Sequence, residues 1–210
     1  MLQPQPTTQP IIVGAILAGG ESRRFNYQTK ALIDLNGKPL IEHCLDRLAP
    51  QGLATIAVCA NQNPALTEYG LPCIEELDCA IAGPLRGLYS ALEWAHKAAG
   101  DALLLTVPCD TPLLPLNLVE ELTNTLLLTQ DDCVIASSNG RLHPTIGLWR
   151  TNLLQRLADH IAASQKGSLK AWLSQCRFTE VNFCSTQIDP FVNVNSQSDL
   201  NNLTQALAPK

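Results

Sequence analysis

The feature that most constrains the fold of this chain is an apolar run that ends in two adjacent glycines. Residues 11–17 read IIVGAIL, and Ala18, Gly19 and Gly20 follow directly. An apolar run without polar alternation is typical of a parallel strand that is covered on both faces. Because Gly19 and Gly20 carry no side chain, their backbone N–H groups can approach a phosphate closely. We therefore expect a strand that leads into a phosphate-binding loop.

Basic side chains follow the glycines and favour the same interpretation. Arg23 and Arg24 come shortly after Gly20, and Lys30 follows within the same stretch. We expect these cations to balance the charge of a nucleoside triphosphate, with Arg24 and Lys30 in the catalytic group. The loop matches neither the GxxxxGK[ST] sequence of P-loop NTPases nor the GxGxxG sequence of dinucleotide-binding enzymes, so both classes are disfavoured.

Strand-like and helix-like segments alternate along most of the chain, and this order predicts the fold class. The expected strands are 11–17, 55–60, 102–107, 132–136, 145–149 and 178–183, and the expected helices are 40–48, 85–99, 116–128, 153–162, 169–175 and one that begins at Ser196. Such a βαβ order implies right-handed crossovers that place the carboxyl ends of the strands at one edge. We predict a single α/β domain over residues 11–210, with a Rossmann-like, doubly wound, mostly parallel sheet.

Composition excludes several other classes of protein. The net charge of -5 over 210 residues argues against a nucleic-acid partner. Residues 1–10 are rich in Gln, Pro and Thr, which predicts a disordered tail rather than a signal peptide. No apolar run is long enough to span a membrane, so we expect a cytoplasmic protein. The eight cysteines form no CxxC pair, and we expect buried, reduced thiols rather than a zinc site.

A carboxylate between two prolines marks a second candidate site. The apolar segment 102–107 continues as Pro108, Cys109, Asp110, Thr111 and Pro112. The end of a parallel strand is where α/β folds bind ligands, and Mg²⁺ prefers one or two carboxylates together with substrate phosphates. We predict that Asp110 is a catalytic residue that binds Mg²⁺. On this motif alone, the alternative that Asp110 caps a turn stays open.

Three further segments carry polar groups whose roles the sequence leaves open. The glycines of segment 83–87 (GPLRG) allow close approach of a base or sugar, or else mark a plain Pro-led helix start. His143, in a turn after Arg141, is either a structural residue or a contact to an anionic group. Asn193 and Asn195 alternate with valines and so share one face, where they contact sugar, pyrophosphate or metal-bound water, or else brace a loop.

With these pieces in order, the chain resembles the molybdenum cofactor guanylyltransferase (MobA) family. The matching segments are LAGG (17–20), Lys30, NGKPL (36–40), GPL (83–85), PCDTP (108–112), HPT (143–145) and FVNVN (191–195). The resemblance covers residues 13–200, nearly the whole chain. It implies a fold of the nucleotidyltransferase type and a Mg²⁺-dependent enzyme that transfers GMP from GTP to the terminal phosphate of molybdenum-molybdopterin, with release of pyrophosphate.

The resemblance also implies site residues. GTP contacts are implied at Leu17, Ala18, Gly19, Lys30, Cys59, Glu76 and Asp110, in addition to Gly20 and Arg23 from the loop itself. At positions 59 and 76 the family commonly has Asn and Asp. Because a thiol is a weak hydrogen-bonding group, we expect Asn61 to compensate for Cys59. Candidate pterin or phosphate contacts are Arg141, His143, Asn193 and Asn195.

Two departures from the family pattern keep alternatives open. Residues 25–29 (FNYQT) replace a Met-Gly-x-Asp type sequence, which leaves Lys30 without a carboxylate close in sequence, and Arg86 stands where Ala is typical. The alternatives are a CTP-dependent molybdopterin cytidylyltransferase, a sugar-phosphate nucleotidyltransferase, and a non-catalytic nucleotide or pterin carrier. For the guanylyltransferase we expect a monomer that also interacts with other proteins of cofactor biosynthesis and delivery.

Overall fold

The fold is described from a computed structural model. It covers residues 10–19, 29–60, 63–79, 81–163, 168–185 and 187–208. All but Pro10 of the predicted tail lies outside the described residues, and so do Gly20, Arg23, Arg24 and Asn61.

A seven-stranded sheet with the order β5-β4-β1-β6-β8-β7-β9 forms the centre of the protein. The strands are β1 (Ile12–Leu17), β2 (Asp34–Leu35), β3 (Lys38–Pro39), β4 (Thr55–Cys59), β5 (Cys73–Ile74), β6 (Leu103–Pro108), β7 (Cys133–Ser138), β8 (Arg141–Arg150) and β9 (Phe178–Asn182). Strands β5, β4, β1 and β6 run parallel, and so do β7 and β9, whereas β8 is antiparallel to both of its neighbours. The predicted mostly parallel α/β sheet is confirmed.

Helices lie on both faces of this sheet and beside it. They are α1 (Leu40–Leu48), α2 (Pro64–Thr67), α3 (Pro84–Ala99), α4 (Leu118–Thr129), α5 (Leu154–Ala163), α6 (Leu169–Leu173) and α7 (Gln197–Leu207). One apolar core joins α1 and α4 to one face of the sheet, and a second core joins α3, α5 and α6 to the other. Strand β6 is buried along almost its whole length, which explains its apolar sequence without alternation.

The C-terminal helix begins as the sequence predicts. The Ser196 hydroxyl accepts a hydrogen bond from Asp199 N at 3.2 Å, and the Asp199 carboxylate accepts one from Asn195 N at 2.9 Å. This reciprocal arrangement satisfies backbone donors that a helix start otherwise leaves unpaired. The cap therefore fixes the direction in which the chain leaves Asn195.

Strand β8 differs from the prediction. We expected a turn at residues 143–145 and a strand at 145–149, but the strand already begins at Arg141. The turn lies instead at Asn139 and Gly140, whose φ angles of 49° and 73° are both left-handed. Asn-Gly is the sequence that favours such a two-residue hairpin turn. His143 is consequently a strand residue, not a turn residue.

The same turn chemistry produces the β2–β3 hairpin, which the sequence analysis did not predict. Asn36 and Gly37 again adopt positive φ angles, of 57° and 82°. The hairpin, the short strand β5 and the helix α2 are all additions to the predicted pattern. Each is too short to show a hydrophobic period, so only the Asn-Gly pair offered a signal.

The cysteines meet the expectation only in part. Cys44, Cys59, Cys109 and Cys133 are buried, but the other four are partly or fully exposed, and none of the eight forms a disulfide. Among the described residues, no helix combines the length and apolarity needed to cross a membrane.

Candidate functional site

A cleft of about 230 Å³ opens at the carboxyl ends of β1, β4 and β6. Its described lining consists of Leu17, Gly19, Lys30, Cys59, Glu76, Gly83, Pro84, Gly87, Pro108, Cys109, Asp110, Thr145 and Asn193. The cleft thus gathers most of the described residues that the sequence singled out. Ligands of open α/β sheets bind at this edge.

The pairing of three strands explains why distant residues meet here. Leu17 lies opposite Cys59 on one side and Pro108 on the other, so β1, β4 and β6 end at the same level. Beyond these ends, Ala18 N donates to Cys59 O at 2.8 Å, and Cys109 N donates to Leu17 O at 3.1 Å. The N–H group of Ala18 is therefore used by the sheet. Gly19 is the first residue that leaves the sheet.

Gly19 is in close contact with the carboxylate of Glu76. A Cβ atom placed on Gly19 would overlap Glu76 Oε1. The second oxygen, Oε2, lies 3.6 Å from Nη1 of Arg86 on the first turn of α3. A carboxylate, a side-chain-free position and a helix start thus share one wall of the cleft.

Lys30 and Asp110 form a second charged part of the cleft. The Lys30 ammonium forms an ion pair with the Asp110 carboxylate and donates to Asn195 Oδ1 at 2.6 Å. Asp110 is only 7% exposed. The carboxylate that the sequence lacks beside Lys30 is therefore supplied by Asp110, 80 residues further along the chain.

The segment 191–195 is held against the Asp110 loop by its own backbone. Val194 N donates to Asp110 O at 2.9 Å. The hydroxyl of Thr111, which is fully buried, lies 3.2 Å from Asn193 Oδ1 and 3.4 Å from Asp110 Oδ1. Thr111 was part of the recognised PCDTP segment, but sequence reasoning assigned it no role. Its contacts make Asn193 a brace as well as a lining residue.

The cysteine thiols of the cleft are protonated. Burial, followed by the charge of Glu76, raises the pKa of Cys59 to about 12. Burial and the charge of Asp110 raise the pKa of Cys109 to about 12 in the same way. Because the thiolate is the reactive form of cysteine, neither thiol is a nucleophile at neutral pH.

His143 lies outside the cleft lining and has a structural partner. Its Nε2 atom is 2.8 Å from Ser138 Oγ, which is in turn 2.7 Å from Asp189 Oδ1. A hydroxyl has one proton, so Ser138 donates to Asp189 and His143 Nε2–H donates to Ser138. Burial lowers the pKa of His143. The ring centroid lies 4.9 Å from that of Phe191, with the two ring planes tilted by 57°.

This chain of hydrogen bonds holds the start of the segment that carries Asn193 and Asn195. Asp189 also accepts from Phe191 N at 2.9 Å and from Asn139 Nδ2 at 3.0 Å. Although burial by itself raises the pKa of the Asp189 carboxyl, these donors outweigh it and hold the pKa below its usual value. Arg141, at the exposed start of β8, is likewise absent from the described lining of the cleft.

We expect Ser138→Ala to destabilise the protein by about 1–3 kcal/mol, because a buried donor and acceptor lose their shared partner. Thermal unfolding of the variant beside Ser174→Ala, at an exposed serine, measures the difference. The pKa of the Asp189 carboxyl lies below its usual value in the folded protein. Its contribution to the free energy of unfolding is therefore present above about pH 4, the usual pKa of this group, and is lost as the pH falls further. Equal melting temperatures for both variants at pH 7 would contradict the assignment.

Comparison with known sequences assigns the chain to a family. The sequence model of the MobA-like NTP transferase domain matches residues 14–180. A molybdenum cofactor guanylyltransferase of Mesorhizobium japonicum is 34% identical over 193 residues, which cover 90% of this chain and 92% of that protein. One from Yersinia pestis is 35% identical over 192 residues, which cover 91% and 94%.

Solved structures share the same fold. Molybdopterin-guanine dinucleotide biosynthesis protein A from Archaeoglobus fulgidus has a TM-score of 0.74 at 19% identity, covering 92% of this chain and 97% of that one. Rv0371c from Mycobacterium tuberculosis in complex with manganese has a TM-score of 0.66 at 14% identity, covering 94% and 100%. The family model and the sequence relatives show that the chain belongs to the MobA-like NTP transferase family of nucleotidyltransferases.

Proposed function

We propose that this enzyme transfers GMP from GTP to the terminal phosphate of molybdenum-molybdopterin, which gives the guanine dinucleotide form of the cofactor and pyrophosphate. The observation that carries the proposal is that Gly19, Glu76, Lys30 and Asp110 line one cleft. Relatives that carry the name of this activity match about nine-tenths of the chain.

Asp110 is the proposed Mg²⁺ ligand, and the residues around it fit a hard divalent cation. Its buried carboxylate and the Asn195 amide oxygen already converge on one cation, the Lys30 ammonium. Among the described residues, no group of three or more His, Cys, Asp or Glu side chains could hold a metal ion. Mg²⁺ suits such a site because it takes few protein ligands and completes its shell with phosphates and water. When bound, Mg²⁺ would neutralise phosphate charge.

Positioning and charge balance are the proposed contributions of the chain itself. Lys30 would move its ammonium from Asp110 toward the triphosphate, and Gly19 would let the phosphates approach the backbone. Gly20, Arg23 and Arg24 are proposed to act on the same phosphates. An ionised pterin phosphate needs no protein nucleophile, which agrees with the protonated thiols of Cys59 and Cys109.

The wall of the cleft that Glu76 shares with Gly19 and the start of α3, here called the Glu76 wall, is the proposed binding surface for the nucleobase. Glu76 supplies acceptor oxygens, which suit the N1–H and N2–H₂ donors of guanine. Cys59, whose Sγ lies 3.7 Å from Gly87 O, contributes shape more than hydrogen bonding. Asn61 is a further proposed contact to the nucleotide beside Cys59. At the other end, Asn193 and Asn195 are the proposed pterin or pyrophosphate contacts.

We expect Gly19→Ala to raise the KM for GTP about tenfold, the scale of one lost hydrogen bond to a charged group. The added methyl group must displace the Glu76 carboxylate, which is the end of a flexible side chain, so the melting temperature should change little. Steady-state kinetics of Gly19→Ala, Glu76→Ala and the double variant test the cause. If the overlap between the added methyl group and the Glu76 carboxylate causes the higher KM, the effects of Gly19→Ala and Glu76→Ala on the KM are not additive. Additive effects would contradict this cause.

A nucleotide panel tests the proposed function. Purified protein is incubated with Mg²⁺, molybdenum-loaded pterin and each of GTP, CTP, ATP and UTP, and the nucleotide-linked pterin is measured. We expect product from GTP alone. Product from CTP would assign a cytidylyltransferase, and binding without pyrophosphate release would assign a carrier.

We further propose that residues 11–210 act as one domain in the cytoplasm, consistent with cysteines that form no disulfide.

A further inference from the structure

Arg86 occupies an electrostatically unfavourable place that only its partners explain. It lies in the first turn of α3, where the helix dipole disfavours a positive charge. Its Nε donates to Ile81 O at 2.8 Å, and Nη1 lies 3.6 Å from Glu76 Oε2. The guanidinium is thus held at two points beside the cleft-lining residues Gly83 and Gly87.

The backbone next to Glu76 is anchored to the same helix. Leu77 N donates to Ser90 Oγ at 2.9 Å, and Ser90 Oγ donates to Arg86 O at 3.0 Å. Ser90 therefore holds the chain beside Glu76, while Arg86 holds the side chain itself. The backbone beside Glu76 is thus anchored to α3, and the ion pair with Arg86 favours one orientation of a side chain that is otherwise flexible.

The two carboxylate oxygens of Glu76 consequently have different surroundings. Oε2 faces Arg86, and Oε1 lies against Gly19 at the cleft. Without the guanidinium, a carboxylate on a flexible side chain samples several rotamers. With it, one oxygen is presented to the cleft as a hydrogen-bond acceptor in a fixed position.

We propose that Arg86 is a positioning residue that sets the nucleobase specificity of this enzyme by orienting Glu76. The inference rests on the proposed function and assigns the base to the Glu76 wall. Guanine presents adjacent N1–H and N2–H₂ donors, inosine lacks the N2 amine, and adenine presents an unprotonated N1. Because a carboxylate oxygen has two lone pairs, the oxygen at the cleft can accept from both N1–H and N2–H of guanine, from N1–H alone of inosine, and from neither position of adenine. It therefore favours GTP over ITP and, more strongly, over ATP.

The test measures equilibrium binding of GTP, ITP and ATP by displacement of a fluorescent guanine nucleotide. We expect Arg86→Ala to lower the GTP-to-ITP affinity ratio about tenfold, the scale of one charge-assisted hydrogen bond. Arg86→Lys should recover part of the ratio because it keeps the charge. Lys97→Ala, which removes the Glu93 ion pair at the other end of α3, is the matched control and should leave the ratio unchanged.

A double-mutant cycle separates positioning from general charge. Once Glu76→Gln has removed the charged acceptor, adding Arg86→Ala should change the ratio no further. If Arg86→Ala weakens GTP, ITP and ATP equally, or if the two effects add, Arg86 acts on the phosphates or the fold and the inference is wrong. Wild-type protein that prefers CTP would instead overturn the proposed function, before Arg86 is tested.

Discussion

Replacing Asp110 with Asn lowers the turnover number by about 10²-fold or more, the scale of losing one preorganised electrostatic group. Asp110 is nearly buried, pairs with Lys30, and holds the segment 191–195 through its backbone oxygen. The amide keeps the shape of the side chain and leaves that backbone bond intact. What it removes is the negative charge that would bind Mg²⁺. Steady-state turnover at saturating GTP measures the loss.

The control for this substitution is Asp101→Asn, at the exposed start of the segment that leads into β6. We expect it to keep wild-type turnover. Thermal unfolding of both variants shows whether the fold is preserved, so that a loss of activity can be assigned to the charge. Full turnover by Asp110→Asn would overturn the role assigned to this carboxylate.

Lys30→Met has two expected effects of opposite sign. Turnover falls by about 10²-fold, because the triphosphate loses a positive partner in a partly dehydrated cleft. Binding of Mn²⁺ to the nucleotide-free protein becomes tighter, because the ammonium no longer pairs with the Asp110 carboxylate or donates to the Asn195 amide oxygen. Turnover and Mn²⁺ titration followed by electron paramagnetic resonance measure the two effects separately.

Lys38→Met provides the matched control, since Lys38 forms a more exposed pair with Asp46 outside the described cleft lining. Exposed ion pairs contribute about 0–1 kcal/mol, so neither turnover nor Mn²⁺ binding should change. If Lys30→Met binds Mn²⁺ no better than the wild type, the ammonium does not compete for the cation position.

The long elements were predictable because their signals are local. Helix α1 spans the residues predicted for it, 40–48, and β1 begins one residue later than predicted. Both are periodic or continuous apolar runs, in which each residue reports on its neighbours. The glycine pair at 19–20 and the PCDTP segment could be singled out for a similar reason, since the chemistry proposed for them lies in consecutive residues.

The antiparallel strand β8 and the role of His143 were not predictable in this way. The sequence of a strand does not indicate whether its partner runs parallel or antiparallel to it. In addition, the pairing of β8 with β6 joins residues that are far apart in sequence. The bond between Ser138 and Asp189 spans 51 residues, and the contact between Lys30 and Asn195 spans 165. No local pattern encodes such distances.

The sequence by itself determined the α/β class, the parallel core strands and the residue types that suit a triphosphate and a cation. These follow from hydrophobic period and from the chemistry of short segments. Only the tertiary structure decided that Lys30 pairs with Asp110, that Arg86 faces Glu76, and that His143 supports a loop. Such pairings depend on how strand ends and helix starts meet in space, because side chains interact through distance and not through order along the chain.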